Sequence, residues 1–226
     1  MKERLSLYAR IEHGVRKYAS KWLFRLRGPE PGEIFLHRRR VFIVPTHPGL
    51  LFGAMLVTLF IGSINYNLSL GFGLTFLLAA VGFIDMHLTF RNLAHLHLSG
   101  GRTMPVFAGE EAQFELHLTN RRRQPRYAIW LDFVHEGRAP DTAQPVDIPA
   151  NATARVTLAT RALRRGWLPA PRVRLQTRFP LGLLRAWSYW QPDTRVLVYP
   201  QPEDDAPPLP LGAAEDSEGR GPGGQD

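Results

Sequence analysis

The sequence predicts a membrane α-helical hairpin followed by an all-β antiparallel sandwich, immunoglobulin-like in shape. Three observations carry this prediction. Residues 41–84 contain no Asp, Glu, Lys or Arg, and that run is about twice the 20 apolar residues one bilayer crossing needs. A polar turn, Asn65-Tyr66-Asn67, interrupts the run near its middle. Beyond residue 91 the apolar residues stop recurring with a helical period and begin to alternate. Four segments follow: a basic amphipathic segment (1–40), a two-helix transmembrane hairpin (41–90), a cytoplasmic β-sandwich (91–200), and a disordered tail or linker rich in Pro, Gly and acidic residues (201–226).

The overall composition conceals this order. A hydrophobic content of 44% and a formal net charge of +8 would suit a soluble basic protein, yet the charges are segregated. Eleven of the first forty residues are Lys or Arg, ending in Arg38-Arg39-Arg40, against Glu3, Glu12, Glu30 and Glu33. The charge therefore describes no single surface and does not argue for nucleic acid, which is not expected as a partner. The chain has no cysteine, which excludes disulfides, thiolate nucleophiles and cysteine-held metals. No short apolar core with a small-residue cleavage site marks a signal peptide in the first forty residues.

Residues 5–26 read as an amphipathic helix. Tyr8, Ile11, Val15, Tyr18, Trp22 and Leu26 form one stripe, with Lys and Arg on the rest of the wheel. Such a helix suits either an anionic membrane interface or packing on a protein surface. Gly28-Pro29-Glu30-Pro31-Gly32 ends it. The first membrane span is expected over 48–64, with Thr46 as N-cap and Pro48 in the first turn. The second is expected over 68–84. Arg38–Arg40 before the first span and Arg91 and Arg102 after the second flank a hairpin whose turn is free of basic residues. The positive-inside rule then places both termini in the cytoplasm of a bacterium and the turn outside its inner membrane. Gly49 and Gly53, and Gly71, Gly73, Ala79 and Gly82, would let the two helices approach closely.

Strands are expected at 93–98, 114–120, 128–134, 154–159, 172–176 and 195–199, separated by Gly and Pro. Several short alternating runs with regular turn signals argue a sandwich. From Gln201 the chain is too polar and too rich in Gly and Pro to build a core.

No catalytic constellation emerges. His95 and His97, two apart, would share one face of a strand, with His87 and His117 as further candidates. A metal site needs three or four converging ligands, and the alternation of His with Leu is that of a solvated strand face, so no metal is expected. Asp85 is a suspect because a carboxylate at membrane depth is expensive, but at the end of a helix it is expected to reach the headgroups. Gly71-Phe72-Gly73 lies within a span and is no nucleotide loop. No nucleophile elbow, phosphate loop or zinc-protease helix occurs. Arg121-Arg122-Arg123 with Arg126 reads as a basic hairpin tip, solvated or touching anionic lipid or an acidic partner. The expectation is a protein without catalytic, cofactor-binding or metal-binding residues.

Several motifs occur in a telling order. Pro45-Thr46-His47-Pro48-Gly49 precedes the first span, and Gly62-Ser63-Ile64-Asn65-Tyr66-Asn67 forms the turn. Arg91-Asn92-Leu93 follows the second span, then Pro105-Val106-Phe107-Ala108-Gly109-Glu110, Arg165-Gly166-Trp167 and Phe179-Pro180-Leu181-Gly182-Leu183. Together, over residues 38–200, they resemble the bacterial membrane proteins of the domain of unknown function 58 family. The resemblance implies an inner-membrane protein of undefined process. Members are often encoded beside MoxR-type AAA+ ATPases and transglutaminase-like membrane proteins, which are the partners it implies. Members typically continue into a further cytoplasmic domain opened by a block resembling F-x-G-L-R-x-Y-x-x-G-D. That block is absent here, so the chain reads as a fragment or a truncated member. The expected function is an inner-membrane scaffold presenting its β-domain to such an ATPase. The alternatives are a binder of anionic lipid, with nucleic acid ranked below it, or the anchor of a longer protein whose active domain lies beyond residue 226.

Overall fold

A computed structural model describes residues 28–134 and 143–201. The amphipathic helix expected over 5–26, and the tail expected over 201–226 apart from Gln201, lie outside the described residues. The element order opens with two short strands, β1 (Ile34–Phe35) and β2 (Phe42–Pro45), separated by a 3-10 turn at Arg38–Arg40. Two long helices follow, α1 (His47–Asn65) and α2 (Ser69–Leu93). The rest is β: β3 (His97–Thr103), β4 (Val106–Phe107), β5 (Glu111–Asn120), β6 (Arg126–Val134), β7 (Gln144–Ile148), β8 (Ala152–Arg161), β9 (Gly166–Pro169), β10 (Arg172–Thr177), β11 (Leu184–Trp190) and β12 (Arg195–Tyr199).

The strands form three sheets, ordered β1-β3-β5-β8, β2-β11-β10-β6-β7 and β4-β12-β9. All pairings are antiparallel except β4 with β12. Strand β5 alternates as its sequence predicts: Ala112, Phe114, Leu116 and Leu118 turn inward and are fully buried. From the five-stranded sheet Ile129, Leu131, Phe133, Val173 and Leu175 face them. Phe114 meets Phe133 edge to face with ring centres 5.8 Å apart. Val196 and Val198 of the third sheet close the same core. The residues expected to form strands around 114–120, 128–134, 154–159, 172–176 and 195–199 do so, each within an element at least as long.

The helices meet the length and composition for crossing a membrane, and only 6% and 11% of their apolar windows are buried by the protein itself. Leu51, Val57, Ile61, Leu70, Phe76 and Phe83 are all more than half exposed. Thr46 caps α1, its Oγ1 accepting the Gly49 N–H at 3.2 Å. Between the helices Asn67 takes a left-handed φ of 50°. Ser63, buried at the turn, fills the space a side chain on Gly71 would need, and Phe52 rests against Gly82. Gly71 and Gly82 thus serve packing within the hairpin, whereas Gly53 and Gly73 face open space.

Three expectations are corrected. The segment 41–90 is not hairpin throughout, because Phe42–Pro45 is a strand that pairs with β11, and the first helix begins at His47, next to the expected start at 48. With β1 this strand brings residues from before the hairpin into the sandwich, which is therefore not confined to 91–200. Helix α2 does not stop near residue 84. It runs on to Leu93, burying Asp85, Thr89, Asn92 and Leu93, which recur at helical spacing on one face. Consequently residues 93–96 are not strand, and His95 does not share a strand face with His97. It sits in the helix-to-strand turn with φ 65°.

Candidate functional site at the base of the hairpin

The helices leave the sandwich through a joint built largely from polar side chains. The 178–183 loop joins β10 to β11. Its Leu183 carbonyl accepts both the Thr46 N–H at 2.9 Å and the Thr46 hydroxyl at 2.9 Å, and the hydroxyl also reaches the Gly182 carbonyl at 2.6 Å. Gly49, in the first turn of α1, lies so close that a methyl there would overlap the Leu183 carbonyl. Its lack of a side chain thus serves the helix–loop contact rather than helix–helix packing.

Asp85 fixes the other helix to the same loop. It is 1% exposed, and its Oδ1 accepts the Leu181 N–H at 2.9 Å. It does not reach the headgroups, because the loop closes over it. Two turns further on, Asn92 acts as a surrogate strand edge. Its Nδ2 donates to the Tyr127 carbonyl (2.7 Å) and to Thr177 Oγ1 (2.9 Å), and its Oδ1 accepts the Tyr127 N–H (3.1 Å). Helix α2 is thereby stitched to β6 and β10 where those strands begin and end.

Beside Asn92 lies a group of cations. The β5–β6 turn that carries Arg121–Arg123 is held by Asn120, whose Nδ2 donates to the Gln124 and Pro149 carbonyls and whose Oδ1 accepts the Arg122 N–H. The Arg122 carbonyl in turn accepts the Asn151 N–H. This turn is structured on both sides, and its arginines have separate fates. Arg121 pairs with Glu33 at 2.8 Å. Arg126 is not part of the solvated tip: it opens β6 and is 3% exposed.

A β-bulge explains its burial. Arg126 lies opposite Ile148, while Ile129 lies opposite Val146, so β6 has one residue more than β7 between these pairs. The extra residue shifts the alternation, and Arg126 takes the face of its partner Ile148, which is fully buried. Ala128 in the bulge has φ 48°, and Asp147 Oδ1 accepts its N–H at 2.7 Å. The Nε, Nη1 and Nη2 atoms of Arg126 are buried and have no hydrogen-bond partner among the described residues. Burial, with the charges of Arg122 and Arg91, pushes the Arg126 guanidinium down to about 10. Burial followed by Arg122, Arg38, Arg126 and His37 lowers the neighbouring His95 below its ordinary value, and its buried Nδ1 also lacks a partner.

Among the described residues the remaining histidines do not converge as ligands. His97 Nδ1 lies 2.8 Å from Glu33, and His117 Nε2 lies 2.9 Å from Glu115. Among the described residues no three His, Asp or Glu side chains gather as metal ligands. Sequence reasoning missed Asn92 and the burial of Arg126. The signal for Asn92 was present in the polar residues Asp85, Thr89 and Asn92 spaced at four and three. No family model matches the chain, and no curated protein matches it.

Proposed function

We propose that this protein is a scaffold anchored in a bacterial inner membrane by the α1–α2 hairpin, with an immunoglobulin-like β-domain on the cytoplasmic side. The observation that supports this most directly is the exposed apolar surface of both helices. Soluble monomers rarely expose contiguous apolar patches beyond a few hundred Å², and here the exposed side chains run the length of two helices. A bilayer would cover them. Arg38–Arg40 and Arg91 at the base of the hairpin favour a cytoplasmic base.

Kinship with the domain of unknown function 58 family belongs to the same reading. Three of its motifs converge at the joint: Thr46 and Gly49 of the first, Asn92 of the second, and Leu181 to Leu183 of the third. A fixed joint suits a protein whose task is to hold a domain at a set angle to the membrane. On this reading the partner is a MoxR-type AAA+ ATPase, acting with a transglutaminase-like membrane protein.

The absence of native cysteine makes the orientation simple to test. Tyr66→Cys, at an exposed position in the hairpin turn, is expected to react with a membrane-impermeant maleimide in intact spheroplasts. Leu163→Cys, exposed on the β-domain, should react only after lysis. The reverse pattern would refute the orientation. Release of the protein by alkaline carbonate would refute the anchor. Purification from a nonionic-detergent extract of the native strain should recover the ATPase, and its consistent absence would remove that partner.

A further inference from the structure

We propose that Arg126 is the innermost group of an anion site that takes a phosphate group, with Arg122 and Arg91 as the neighbouring cations. A guanidinium buried without a counter-charge is one of the least favourable groups a fold can hold. Here the described charges that act on it are of its own sign: Arg122 from the β5–β6 turn and Arg91 from the end of α2. Arg38 of the 3-10 segment acts on the neighbouring His95, which burial and these charges hold toward its neutral form. Among the described residues, the charges acting on Arg126 and on His95 are positive.

The described carboxylates nearby are engaged elsewhere. Glu33 bonds Arg121 and His97, Glu30 bonds Arg40, and Asp147 satisfies the Ala128 N–H. Three buried unpaired nitrogens on one planar fork fit an acceptor with several oxygens and more than one direction of approach. A phosphate offers both, with charge to match the neighbouring arginines. The bulge at Ala128 is the device that turns Arg126 inward, and the Asn120 bonds fix the turn that carries Arg122, whose charge acts on it.

Two sources could supply the phosphate: a free phosphate species or the headgroup of an anionic lipid. Arg91 lies seven residues beyond Ile84, roughly 10 Å along the helix axis, which is headgroup depth if the hairpin spans a bilayer. The lipid source rests on the membrane reading above. The site itself does not.

The test uses the full chain in a nonionic detergent, freed of phospholipid, with thermal unfolding followed in inorganic phosphate and in chloride at matched ionic strength. Phosphate is expected to raise the Tm of the wild type. Arg126→Met should bind phosphate roughly ten- to a hundredfold more weakly, since charge-assisted bonds are lost. In chloride it should be at least as stable as the wild type, because the uncompensated buried charge is gone. Should it fail to fold, Arg122→Gln and Arg91→Gln carry the test, each weakening phosphate about tenfold. Arg123→Gln, the same charge change on the same turn, should leave the response intact.

No phosphate-dependent shift in the wild type would overturn the proposal and point to a carboxylate from residues 1–27, 135–142 or 202–226 as the occupant. An undiminished shift in folded Arg126→Met, or equal losses in Arg122→Gln and Arg123→Gln, would overturn it as well. Nanodiscs then separate the sources. If phosphatidylglycerol in a phosphatidylcholine disc abolishes the wild-type response to added phosphate, the site is retained and its occupant is a lipid headgroup. A response that persists also retains the site and assigns it to soluble phosphate.

Discussion

Replacing Asn92 with alanine is expected to lower stability by about 3–5 kcal/mol, because three hydrogen bonds vanish and the Tyr127 N–H and carbonyl lose the partner facing them. For a chain of this size that is a fall in Tm of roughly 10 °C or more. The geometry separates this loss from simple cavity formation. Asn92→Asp keeps the shape of the side chain but replaces the donating Nδ2 with an oxygen, which then faces the Tyr127 carbonyl. It should therefore be nearly as damaging as alanine. Thermal unfolding in nonionic detergent measures both variants, and limited proteolysis locates the damage. Cleavage should increase first around the 178–183 loop and the start of β6, where α2 is fastened. If Asn92→Asp were close to wild type, the side chain would be acting by volume alone.

The reason Asn92 escaped hydrophobic pattern reading is general to this joint. The two long helices were legible because a run without Asp, Glu, Lys or Arg, broken once by Asn65-Tyr66-Asn67, is conspicuous. Strands β5 and β12 were legible because one face is buried, so Phe114, Leu116 and Leu118, or Val196 and Val198, alternate with less buried positions. At the base of α2 the buried face is made of Asp85, Thr89 and Asn92, and a reading based on apolar periodicity takes such residues for the end of a helix. Strand β2 fails in the opposite sense. Phe42-Ile43-Val44-Pro45 is apolar and adjoins the apolar helix α1, so it falls within the charge-free segment with no sign of a strand until its pairing to β11 is seen. In β11 the inward residues include Ala186 and Ser188, too small or polar to mark an alternation. Strand β7 carries Pro145 and Asp147, tolerable because it lies at a sheet edge.

The candidate site was less legible than the fold. Arg126 follows Gln124-Pro125 and three arginines, which is the composition of an exposed turn. Its burial depends on one extra residue between two register pairs, and a bulge has no reliable signature in a single sequence. His95 was misplaced for a related reason. The alternation His-Leu-His-Leu is real, but the first His lies in a left-handed turn that precedes the strand.

Arg174→Ala should cost about 3 kcal/mol, and the reason lies in which partner is left behind. Arg174 and Asp132 face each other across β10 and β6 and join through two bonds, Nε to Oδ1 at 3.0 Å and Nη2 to Oδ2 at 2.7 Å. The exposures are unequal: the Asp132 side chain is 3% exposed and that of Arg174 is 17%. Removing the arginine strands a buried carboxylate without its fork. Removing the carboxylate instead leaves a long side chain that can turn its head toward water. Asp132→Ala is therefore expected to be the milder change, and Arg174→Lys intermediate, because an ammonium keeps the charge but not the paired donors. The double variant should be less destabilised than the sum of the singles. Thermal unfolding of the four proteins gives that coupling directly. Additive losses would mean that the two side chains act independently. A dominant effect of Asp132→Ala would mean that the carboxylate orders neighbours other than Arg174.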